Sequence, residues 1–225
     1  MKKTIIILLT AFACSTGVYA QLSATNVVPG QINLILHSPI SMDVNEISSY
    51  FNIRICSDSD NYKTSYLYKF MKFLDFNDAT FAEVFGTYMS GITNHVWRYE
   101  SRSDTIYIHP VTNAVSMMRV GPISVSNMTA RAFFDENDVL GLKKNNVKHL
   151  ERKVWFGFWE TEKISLEIQD AYLWEVLDEI TSQLKEVYSW HIDGGTLNSG
   201  EDIILYFLEK PISPRVYEEE RLKNE

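Results

Sequence analysis

Residues 78–85 read "DATFAEVF" and residues 170–177 read "DAYLWEVL", one pattern written twice 92 positions apart. A chain that repeats a pattern is built from related units, and this limits the available folds more than any other feature of the sequence. The match runs in both directions. Leu74 and Phe76 correspond to Leu166 and Ile168, and Ser90 and Ile92 correspond to Ser182 and Leu184. "HVWRYE" at 95–100 answers "YSWHID" at 188–193, and "DTIYIHP" at 104–110 answers "DIILYFL" at 202–208. The offset grows to 93 at Trp97 and Trp190 and to 98 at the last strand. The added residues therefore fall in loops, where insertions are tolerated.

The repeated block has a physical reading. Phe81, Val84, Phe85, Tyr88, Met89 and Ile92 form one stripe at helical spacing. Leu173, Val176, Leu177, Ile180 and Leu184 repeat it in the second copy. Thr80 with Glu83 reads as a capping box. The second copy has Tyr172 in place of that Thr, which leaves Asp170 as the expected cap. Glu83 and Glu175 are thus capping, solvated residues rather than general bases. The segments before and after each helix alternate with period 2, as strands do.

Upstream, "INLILH" at 32–37 and "NIRICS" at 52–57 read as strands. Between them Ile40, Val44, Ile47 and Phe51 share one helical face. The second unit opens with "GPISVSN" at 121–127, a strand. A short helix then turns Ala130, Phe133, Phe134 and Leu140 inward, and "VWFGFW" at 154–159 reads as a strand. Residues 111–120 are the expected linker. The reading is α+β, with two tandem βαβ–βαββ-like modules, each a small mixed sheet packed on two helices. The modules span 21–112 and 113–212, and a charged tail covers 213–225.

This order resembles the short N-terminal domain of secretins and TonB-dependent receptors. The resemblance rests on "LDFNDATFAEVFGTYM", "VWRYE" and "DTIYIHP", and on "ISLEIQDAYLWEVLDEIT", "YSWHI" and "DIILYF". It implies a domain that binds proteins or relays signals in the periplasm and performs no chemistry. No barrel, secretin ring or spanning helix follows, so the expected role is that of a free-standing pair of modules.

The first 20 residues fit an export signal. Lys2 and Lys3 precede sixteen uncharged residues, and Val18 and Ala20 suit a cleavage site after Ala20. The apolar run is short for a spanning helix. Lipid attachment at Cys14 is the alternative. Without Lys2 and Lys3, 19 basic side chains face 29 acidic ones, a net charge of −10. Such a chain is a poor ligand for nucleic acid, whose affinity rests on Lys and Arg. Cys56, the cysteine outside the signal, is expected as a small buried apolar residue.

Motifs for chemistry are missing. There is no G-x-S-x-G, H-E-x-x-H, paired C-x-x-C or phosphate-cradling glycine loop. His95 and His109 stand across one hairpin, where two imidazoles could begin a metal site, but no third ligand accompanies them. No cofactor is expected. Trp97, Tyr99, Trp155, Phe158 and Trp159 are the partner-binding candidates, because Trp and Tyr anchor interfaces. The partner would be a protein or a cell-envelope component. Two rival readings remain: a glycan or lipid binder using the aromatic cluster, and an enzyme using Asp135, Glu136, Asp138 and His149 between the units.

Overall fold

The computed structural model describes residues 31–36, 40–59, 72–92, 94–135, 139–141, 161–185, 187–194, 197 and 203–209. The first unit runs β1 (Gln31–Leu36), α1 (Ile40–Phe51), β2 (Arg54–Ser59), β3 (Lys72–Asn77), α2 (Phe81–Ser90), β4 (His95–Glu100) and β5 (Thr105–Pro110). A 3-10 turn (Val115–Met117) and β6 (Arg119–Val120) follow. The second unit runs β7 (Ile123–Thr129), α3 (Ala130–Asp135), β8 (Lys163–Ile168), β9 (Ala171–Tyr172), α4 (Leu173–Gln183), β10 (Ser189–Gly194) and β11 (Ile203–Leu208). The α+β class is as expected, and each strand and helix read in the first unit is present.

α2 forms where its apolar stripe and its cap agree. Glu83 N donates to Thr80 Oγ1 at 3.3 Å, and Thr80 N donates to Glu83 Oε2 at 2.7 Å. The bond from the Thr80 backbone, then that from its hydroxyl, hold the Glu83 carboxyl below its ordinary value. Thr80→Ala should cost about 1 kcal/mol, read as a lower denaturant midpoint at unchanged slope, while Thr80→Ser should stay close to the parent. α4 corrects the expected cap. Tyr172 stands at its start and donates its N–H to Glu175 Oε2 at 2.7 Å, whereas Asp170 pairs with Arg119.

The two units share one sheet. Its five strands run in the order β11-β10-β2-β5-β4, with β2 parallel to both β5 and β10. Each unit adds a two-stranded antiparallel pair, β1–β3 or β7–β8. Separate sheets were expected, and the physical reason for a common one lies in β2. Among the described residues the second unit has no strand corresponding to β2, and its hairpin docks on β2 itself.

Alternation along the central strands divides the core in two. Ile55, Ile106 and Ile108 join Val44, Ile47 and Phe51 of α1 and Phe81, Val84 and Phe85 of α2. Cys56 and Tyr107 face the other way, with Phe133 of α3, Val176, Leu177 and Ile180 of α4, and Trp190 and Ile192 of β10. The sheet is therefore covered by helices on both faces.

Residues 111–120, the expected linker, run between the two units and pack in part against the core. Val115, Met118 and Val120 are buried in the α4-side core. Ser116 N donates to Asp58 Oδ2 at 2.6 Å, and Leu173 N donates to Met118 O at 2.8 Å. Next to them Gly121 has φ 127°, and a Cβ there would lie 2.6 Å from the Gln169 carbonyl oxygen, so this crossing requires glycine.

Candidate functional site

The outer hairpin β4–β5 holds two of the predicted partner residues. Trp97 is half-buried, and its ring meets Phe85 edge-on at 5.4 Å. Tyr99 is also half-buried and donates its hydroxyl to Asp104 Oδ1 at 2.7 Å. Both pack on the α2-side core while standing on the outermost strand. Trp155, Phe158 and Trp159 lie outside the described residues, as do Cys14, Glu136, Asp138 and His149, and Asp135 closes α3.

The opposite surface of this hairpin was missed in the sequence. Val96 pairs with His109, and Val111 N donates to Asn94 O at 3.0 Å, extending the ladder by one step. Val96 and Val111 are therefore diagonal neighbours on the α4-side face. They are 42% and 59% exposed, and with Met117 they are the exposed large apolar residues among those described. The same register separates the two histidines considered as metal ligands. His95 pairs with Pro110 and His109 with Val96, one step apart, so the imidazoles stand on opposite faces.

A second cluster joins the units at α4. Asp178 accepts a hydrogen bond from Arg54 Nη2 at 2.9 Å, one from Trp190 Nε1 at 2.8 Å and one from the Tyr107 hydroxyl. Arg54 and Tyr107 belong to the first unit, Trp190 and Asp178 to the second. Burial, then the Asp178 charge, hold the Tyr107 hydroxyl well above its ordinary value. Burial opposes the charge on Arg54, but neighbouring groups that include Asp178 more than offset it and hold the guanidinium above its ordinary value. Arg98 lies over Trp174 at 3.9 Å and over Tyr107 at 4.8 Å, adding a cation–π contact between the units.

Asp178 had a legible signal that motif searching passes over. At the constant offset it stands where the first copy has Gly86. A repeat that replaces glycine by a carboxylate on a helix facing the sheet marks a position whose role differs between copies. Cys56 lies beside this cluster, fully buried, and burial pushes its thiol up to about 12. It is a packing residue, as its strand context predicted, and a thiol so held is a poor nucleophile.

The acidic groups of one surface cleft are each engaged in a hydrogen bond. A shallow cleft of about 350 Å3 is lined by Glu167, Asp170, Glu175 and Glu179. Glu167 accepts from Ser124, Asp170 binds Arg119, Glu175 caps α4, and Glu179 accepts from Gln183. Among the described residues no group of three or more His, Cys, Asp or Glu could hold a metal ion, and no helix is long and apolar enough to cross a membrane. Comparison with family models, with curated proteins and with solved structures finds no match.

Proposed function

We propose that the chain is an exported, non-enzymatic interaction module of the cell envelope that takes a partner protein at the β4–β5 hairpin. The observation that carries this reading is internal to the repeat. β4 and β10 are corresponding strands, bearing Trp97 and Trp190 at equivalent positions. β10 has a neighbour on each side, β11 and β2, whereas among the described strands β4 has β5 alone. The second copy offers a precedent for this edge, an extended segment added in parallel, the main-chain recognition used in β-augmentation. Val96 and Val111 supply apolar surface beside that edge. The resemblance to short N-terminal domains of secretins and TonB-dependent receptors, which bind proteins in the periplasm, points the same way, as does the export signal read at 1–20.

The test is site-specific photo-crosslinking in cells, with a photoreactive residue at Val96 and a control at the exposed Glu179. A discrete heteromeric adduct from position 96 and none from 179 is the expected result. The ladder bond between Val111 and Asn94 places even-numbered residues of β4 against β5, so Tyr99 directs its backbone groups outward. Tyr99→Pro should therefore abolish the adduct while β4 still pairs with β5. Identical adducts from both positions, or an adduct that survives Tyr99→Pro, would count against strand addition. An adduct of twice the chain mass would replace a foreign partner by a second copy.

A further inference from the structure

The narrowest join in the central sheet is the one between the units. β2 and β10 meet over three register pairs, Ser57 with His191, Asp58 with Ile192 and Ser59 with Asp193. β2 and β5 share four, and each hairpin shares six. One face of this seam is polar yet buried: Ser57, Ser59, Ser189, His191 and Asp193 are all shielded, and His191 has no exposed surface.

His191 is held by both ring nitrogens. Nδ1 lies 2.8 Å from Ser57 Oγ across the seam, and Nε2 lies 2.9 Å from Ser189 Oγ. A neutral imidazole offers one donor and one acceptor to these hydroxyls. An imidazolium offers two donors, so a serine must turn its hydrogen elsewhere while a full charge enters a fully buried site. Burial first, then the Arg54 charge, hold the imidazole down to about 3. The surrounding titratable groups come from every neighbouring element. β10 brings Asp193, which accepts a hydrogen bond from the Tyr206 hydroxyl, and β11 brings Tyr206, its ring stacked 5.8 Å from the imidazole. β2 brings Arg54 and Asp58, both on the other face, where Arg54 binds Asp178 and Asp58 accepts from Ser116 N. α1, which packs on β10, carries Glu46 and Tyr50, and α4, across the sheet, brings Asp178, bonded to Arg54. Of these groups the Arg54 charge opposes an imidazolium.

We propose that the β2–β10 seam is an acid-sensitive joint, at which a proton taken up by His191 parts the second unit's hairpin from β2 while each hairpin stays paired within itself. This device is independent of the binding reading above. The sign follows from linkage. A released imidazole binds a proton near pH 6.5, and the seated one remains neutral down to much lower pH. The open state therefore holds the extra proton in that window, and each pH unit below about 6.5 multiplies its population roughly tenfold.

Hydrogen exchange of the full chain at pH 7.5, 6 and 5, corrected for intrinsic rates, tests the joint. Those amides of Ser57–Ser59 and His191–Asp193 that donate across the seam should lose protection about tenfold per unit below 6.5, while those bonded within β10–β11 and β4–β5 keep theirs. His191→Gln should flatten that slope. The slope, not the level of protection, is read, so a weakened variant still reports. Ser57→Ala, which leaves the imidazole titratable, should keep the slope. Equal loss in both hairpins, or a slope unchanged by His191→Gln, would overturn the proposal. If His191→Gln fails to fold, the contrast between seam and hairpin in the parent and in Ser57→Ala decides alone.

Discussion

Asp178→Ala should lower the unfolding free energy by about 3 kcal/mol, the lower end of the range for breaking a buried ion pair. The lower end applies because the Arg54 and Asp178 side chains keep 16% and 18% of their surface. Without the carboxylate, Arg54 stays at the junction as a shielded cation, and the Tyr107 hydroxyl and Trp190 indole each lose their acceptor. Each orphaned polar group adds to the cost. Asp178→Asn keeps an acceptor oxygen and loses the charge, so it should fall between parent and alanine. The paired change Arg54→Met with Asp178→Leu should recover most of the loss, because removing both charges leaves neither uncompensated. Equilibrium urea unfolding, followed by far-ultraviolet circular dichroism, measures all four. Equal losses for the single and the double variant would mean that packing, not the ion pair, holds the junction.

Much of this architecture was legible because it is written in periodicity. The stripe from Phe81 to Ile92 places α2, and the alternation of "TIYIHP" places β5. Cys56 could be read as buried because it stands in an alternating strand, and it is. What periodicity cannot give is which strands of the two copies meet. β2 runs two residues beyond the expected strand and ends in Ser57, Asp58 and Ser59, polar residues that are all buried. They are tolerated there because Ser57 meets His191 and Asp58 takes the Ser116 N–H. Burial of polar residues depends on partners from distant sequence, and one sequence does not announce such partners. The same holds for the edge at β4. Its tryptophan and tyrosine were visible as aromatics, while the exposure of Val96 depends on what packs against that face, which its own strand does not reveal.

Phe81→Ala should cost about 3–5 kcal/mol and tests whether the shared sheet makes the two units one cooperative body. Phe81 has no exposed surface, meets Phe51 of α1 edge-on at 5.4 Å and stacks on Phe85 at 4.9 Å. Truncation removes the ring that joins α1 to α2 and leaves a cavity between helices that cannot close without moving both. Phe81→Leu refills part of that space and should cost well under half as much. The larger consequence concerns the other core. Trp190 lies across the sheet in the α4-side cluster, with no place among the residues packed on Phe81. If the modules were independent, Phe81→Ala would leave the Trp190 transition where it was. Because β2 carries Ile55 into one core and Cys56 into the other, the strand cannot be lost from one side alone. Trp190 fluorescence, read in a background whose other four tryptophans are phenylalanine, and far-ultraviolet circular dichroism should therefore shift together to the same lower midpoint, and separated midpoints would show that the hairpin on β2 is a contact between two bodies rather than a common core.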